Sequence, residues 1–147
     1  MRITLGRRAS AAIGLTALAA APVALAAAPI KGATYKGTIA RTSSVAYSIS
    51  FKVSANGKRV GSFKLSYYPV YCQGGGFGSL EQASGPISKK GTFKVALPIY
   101  FAPAHQRQGS VIVTGAFAKH GKESGKVTTD FTHAGSCNGS SSYTTKG

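Results

Sequence analysis

Apolar residues recur at every second position along most of this chain. In "VAYSISFKV", Val45, Tyr47, Ile49, Phe51 and Val53 share one face, and Ala46, Ser48, Ser50 and Lys52 share the other. "FKLSY" repeats the pattern with Phe63, Leu65 and Tyr67, and "FKVALPIYF" with Phe93, Val95, Leu97, Ile99 and Phe101. "GSVIVTGAF" and "KVTTDFTH" continue it with Val111, Val113 and Phe117, then Val127, Phe131 and His133. "TYKGTI" and "SSYTT" are shorter candidates near the two ends. A period of two is the signature of strands with one buried and one solvated face. No window past the N-terminal region has a helical period. Many short alternating strands separated by Gly-rich turns predict an all-β domain of about seven to nine strands. Its architecture is a single antiparallel β-sandwich or a partly open barrel.

The turns can be tested against the same pattern. "SANGK" invites a two-residue Asn-Gly hairpin, but that register sets Phe51 against Ser62 and opposes apolar to polar faces. A three-residue loop pairs Ile49 with Phe63, Tyr47 with Leu65 and Val45 with Tyr67. It uses a type I turn through Ala55 and Asn56, with Gly57 in the left-handed conformation. In the same way Lys119–Gly125 is expected to turn the chain, facing Val113 towards Phe131 and Val111 towards His133. Both turns then fall at one end of the domain. They carry Lys58, Arg59, Lys119, His120 and Lys122. The opposite end carries Cys72, Cys137, the Gly74–Gly78 loop, His105, Arg107 and His133.

The first residues read "MRITLGRRASAAIGLTALAAAPVALAAAPIKG". Arg2, Arg7 and Arg8 precede an apolar run from Ala9 to Ala21, and Ala24-Leu25-Ala26 supplies small residues for cleavage. This predicts a secretory signal peptide over 1–26, with cleavage after Ala26, and a single domain over 27–147. The apolar run is shorter than the roughly 20 residues a spanning helix needs. The expected location is therefore extracellular or in the cell envelope, with no integral membrane segment after processing. Two cysteines in an exported chain, Cys72 and Cys137, read as one disulfide. Closing so long a loop is worth roughly 4 kcal/mol in the chain-entropy picture.

The formal net charge is +15, from 18 Lys and Arg against 3 acids. It becomes about +12 when Arg2, Arg7 and Arg8 leave with the signal peptide. Such an excess suits polyanionic partners: an acidic glycan, a wall polymer, a nucleic acid or an anionic surface. The simpler alternative is a charged, soluble surface with no ligand.

The segments "TYKGTI", "ISFKVSANGKRV", "ISKKGTFKV" and "GSVIVTGAFAKHGKESGKV", with one cysteine before the last two and one after, occur in this order. The arrangement resembles small, uncharacterised secreted β-sandwich proteins of soil actinobacteria. The resemblance covers nearly all of the chain after the signal peptide, and it is a pattern of strands and turns. It implies export, a small β-sandwich and a disulfide near the end of the third strand. It implies no activity and carries no functional residues across.

Most catalytic motifs fail on their spacing. The glycines of "YCQGGGFGSLEQASG" are not followed by the Lys-Ser/Thr and helix of a P-loop, and they miss the dinucleotide fingerprint. The three acids, Glu81, Glu123 and Asp130, are read as too far apart for a carboxylate pair, with Glu123 in a turn. No Gly-x-Ser-x-Gly elbow is present. No metal site and no cofactor are expected. Two function classes remain. One is a non-catalytic module that binds polyanions through Lys58, Arg59, Lys119 and Lys122. Lys52, Lys64 and Lys94 alternate onto outer faces and read as ordinary solvated positions. The alternative is a small ribonuclease-like hydrolase using His105 and His133 as acid and base, with Arg107 as the cation. Against it, His133 reads as the cap of a core face and His105 as a loop residue.

Overall fold

The computed structural model describes residues 27–40, 47–66, 79–101, 106–132 and 138–147. The expected signal peptide over 1–26, Cys72 and Cys137, the Gly74–Gly78 loop, His105 and His133 lie outside the described residues. Among the described residues there is no helix. The strands are β1 (Thr34–Ile39), β2 (Tyr47–Val53), β3 (Arg59–Leu65), β4 (Ser79–Leu80), β5 (Gly85–Pro86), β6 (Thr92–Phe101), β7 (Gln106–Ala118), β8 (Lys122–Phe131) and β9 (Ser140–Lys146).

All neighbouring strands pair antiparallel in one sheet, ordered β4-β6-β7-β8-β9-β1-β2-β3-β5. The sheet curls on itself. Just past β5, Ile87 bridges to Phe93 of β6, and its amide donates to the Lys58 carbonyl at 2.8 Å. Further along the seam the Gln82 side-chain amide donates to the Phe63 carbonyl at 2.8 Å. The result is a nearly closed barrel, the second of the two architectures that the alternation allowed. One sheet takes the place of two facing ones because β5 and the start of β6 join the sheet's edges.

The inward positions are those the period of two picked out. Ile49, Phe51, Val53, Phe63, Val95, Leu97, Ile99, Val111, Val113 and Val127 are all buried. Tyr35, Phe51, Phe63, Phe93 and Phe117 cluster towards the turn end. Tyr35 stacks on Phe51 at 5.3 Å between centroids and meets Phe117 edge-on at 5.1 Å. Fully burying one such ring is worth about 1.5–3 kcal/mol relative to leaving it in water. Aliphatic side chains fill the rest.

Two registers differ from the sequence expectation. In β2–β3, Val53 faces Val60 and Lys52 faces Gly61, but Ser50 faces Lys64 and Ile49 faces Leu65. The loop therefore has one residue more than expected, Ala55 to Lys58. The type I turn with left-handed Gly57 is present, with φ +75° and its amide bonded to the Ser54 carbonyl at 2.8 Å. Side chains explain the extra residue. Ser54 Oγ accepts from the Arg59 amide at 3.0 Å, and Asn56 Oδ1 accepts from the Lys58 amide at 3.0 Å. A bulge at Ser62–Phe63 opposite Phe51, with Ser62 at φ +54°, then returns Phe63 to the inner face.

In β7–β8 the turn is tighter than expected. Ala118 faces Lys122, Val113 faces Val127 rather than Phe131, and Val111 faces Thr129 rather than position 133. His120 and Gly121 both take left-handed φ, +63° and +66°, so three residues reverse the chain. Lys122 and Glu123 consequently belong to β8, and the pairing runs on to the end of β7.

Candidate functional site

Strand direction decides which loops share an end. The β2–β3 turn, the Ser88–Gly91 turn before β6, the β7–β8 turn and the end of β9 lie together, and the segment 27–33 runs across them. Main-chain hydrogen bonds lace them: Gly32 N–H to the Ser54 carbonyl at 3.1 Å, Phe117 N–H to Gly91 at 2.9 Å and Gly147 N–H to Gly121 at 2.9 Å. The Ile30 amide donates to the Tyr35 hydroxyl at 3.0 Å, fixing the segment over the aromatic cluster.

Lys58, Arg59, Lys119 and Lys122 are therefore at one end, and all four are exposed. The Arg59 guanidinium is tethered, donating to Ser84 Oγ at 2.8 Å. Reasoning from the sequence missed Lys31, Lys89, Lys90 and Lys146, which are exposed at the same end. Lys89 and Lys90 sit in the turn "SKKG", which reaches this end only through the pairing of β6 with β7. Lys31 is placed by the laced segment, with its stem beside Gly57.

No acidic side chain offsets these cations at the surface. Glu81 and Asp130 lie towards the other end, since Glu81 bonds to Pro98 through its amide and Asp130 faces Ser110. Glu123, expected in the turn, points into the barrel and is 2% exposed. Tyr143 donates its hydroxyl to Glu123 Oε1 at 2.8 Å, and Thr145 donates to Oε2 at 2.6 Å. Gly115 makes the room: a β-carbon there would overlap Glu123 Oε1 and sit 2.6 Å from the Phe93 ring. Burial pushes the Glu123 carboxyl up from 4.5 to about 7, against the opposing pull of the Thr145 and Tyr143 hydroxyls. Burial, then the charge of Glu123 and the hydrogen bond to it, raises Tyr143, which stays a phenol. The missed signal was parity: Glu123 shares the phase of Val127 and Phe131.

Of the alternative hydrolytic set, Arg107 alone is described. It is exposed at the end away from the turns, and its guanidinium donates to Ser110 Oγ at 2.8 Å. That contact ties β7 to itself. Among the described residues no group of His, Cys, Asp and Glu is arranged to hold a metal ion. Among them, too, no helix is long and apolar enough to cross a membrane. Compared with protein families, with characterised proteins and with solved structures, the chain gives no significant match.

Proposed function

We propose that this protein is a secreted or envelope-associated, non-catalytic module that binds polyanions through its turn end. The observation that carries this reading is the gathering of exposed cations on laced turns, with the nearest carboxylate withdrawn into the core. Cations without neighbouring acids focus a positive potential, and turns held by main-chain hydrogen bonds present it at small ordering cost. Binding of this kind is tolerant of sequence and steeply dependent on salt.

The test is a salt titration of binding to an extended polyanion. If about four phosphates of a single strand are neutralised, log K falls against log salt with a slope near −3. Changing Lys58, Arg59, Lys119 and Lys122 together to Gln removes most of that slope. Changing Lys94, Arg107 and Lys126, which are exposed away from these turns, removes much less. Equal losses from the two sets would reduce the effect to total charge and overturn the turn-end site.

A further inference from the structure

Three lysines stand directly side by side on the barrel's outer surface. Lys122 of β8 faces Lys146 of β9, and Lys146 faces Lys36 of β1. Lys36 faces Ser50 of β2, and Ser50 faces Lys64 of β3. The row thus crosses five adjacent strands, with four exposed lysines and one half-buried serine. At about 4.8 Å between strands it extends roughly 19 Å. Like charges directly opposite each other weaken a sheet. Strand pairing therefore gives no reason for the arrangement.

The next row along the same strands is made of hydroxyls. Ser124 faces Thr144, Thr144 faces Thr38, and Thr38 faces Ser48. Ser66 lies beyond Ser48, accepting its amide hydrogen bond at 2.7 Å. Two shallow surface depressions follow these rows and meet at Lys36 and Gly37. One lies over β8, β9 and β1, the other over β1, β2 and β3. The groove begins at Lys122, so it is continuous with the turn end.

We infer that this groove holds a linear acidic polysaccharide laid across the strands, its carboxylates on the lysine row and its sugar hydroxyls on the Ser/Thr row. This rests on the polyanion-binding reading above and names the ligand class and its path. Two other polyanionic surfaces fit less well. A single-stranded nucleic acid is gripped through bases stacked on aromatic side chains. A membrane surface is gripped through an apolar face sunk between headgroups. Among the described residues Ile30, at 47%, is the only exposed large apolar side chain, and it lies off the groove in the turn-end segment. The groove offers charge and hydroxyls, the chemistry of a charged sugar chain.

The experiment measures binding of the protein to polygalacturonate over a range of salt, with single-stranded RNA and anionic phospholipid vesicles as competitors. Three variants are compared: K36Q/K64Q in the row, K58Q/K119Q in the turns, and K94Q/K126Q elsewhere. Each removes the same charge, and Lys122 and Lys146, shared by both sites, are left intact. The row variant is expected to bind at least tenfold more weakly with a flatter salt slope, and the control to change by less than threefold. Melting temperature confirms that each variant is folded. Losses in the turn variant alone overturn the groove and leave the turn-end reading standing. Equal losses in all three, or no binding to any of the polyanions, overturn both. Tighter binding to RNA or to vesicles overturns the sugar chain as the occupant.

Discussion

The two faces of β8 and β9 treat charge in opposite ways. Lys122 and Glu123 are consecutive, as are Thr145 and Lys146, yet alternation sends one of each pair outward and the other inward. Outside, Lys122, Lys146 and Lys36 share a row with no acid among them, and water screens their repulsion. Inside, one carboxyl has two hydroxyl partners and no solvent. A single acid in the interior costs more than several cations at the surface, because desolvation scales differently from screened Coulomb repulsion.

The comparison can be broken most directly with pH. Below about 4.5 the folded and unfolded chains both hold the Glu123 proton. As pH rises towards 7 the unfolded chain releases it while the barrel keeps it, so stability falls through this window. By the upper end the loss is roughly 3 kcal/mol. Melting temperature against pH should show this decline in the parent protein and not in Glu123→Gln. A parent curve that is flat, or that rises across the window, would show that water reaches the carboxyl. Next in size is Gly115→Ala, which forces a methyl group against Glu123 and Phe93. Overpacking of this kind costs about 1–3 kcal/mol, measured by chemical denaturation. A neutral result would mean that the interior yields as easily as the surface. Smallest is Lys146→Gln, which relieves two opposed like-charge pairs at once. It should raise stability by about 0.2–1 kcal/mol in low salt. Added salt should shrink the gain, and a loss of stability in low salt would place an unseen anion in the row.

Much of the barrel was written in local pattern. Every long strand was visible as a run of alternate apolar residues, because burying one face of a strand imposes a period of two. The turn residues were visible as well, with Gly57 in the left-handed position that the hairpin required. What escaped was register. The extra loop residue before β3 is set by the Ser54 and Asn56 side chains, and the Ser62–Phe63 bulge repairs its effect on parity. The β7–β8 turn depends on His120 taking a positive φ, which no composition rule predicts. Placing the turn too late put Glu123 in solvent, although its phase with Val127 already argued for the interior. The lysine row was further out of reach. Lys36, Lys64, Lys122 and Lys146 meet only through pairings between distant parts of the chain, so each read alone as a solvated position.

β9 lies between β8 and β1, so the seam that joins the two halves of the sheet is the last strand in chain order. This has a consequence for how the molecule assembles. β1 can pair with β2, and β6 with β7 and β8, as local hairpins. The seam between β8 and β1 is closed only by Ser140–Lys146. Until that strand docks, β8 and β1 each present an open row of amide and carbonyl groups, the kind of edge that templates pairing with another chain. Contacts of such long sequence separation make for slow closure. The step that completes the barrel also creates its lysine row, since Lys36 and Lys122 become neighbours only across Lys146. A chain without β9 paired therefore has two open edges and no continuous lysine row, so the closure of one strand settles both backbone pairing and surface charge.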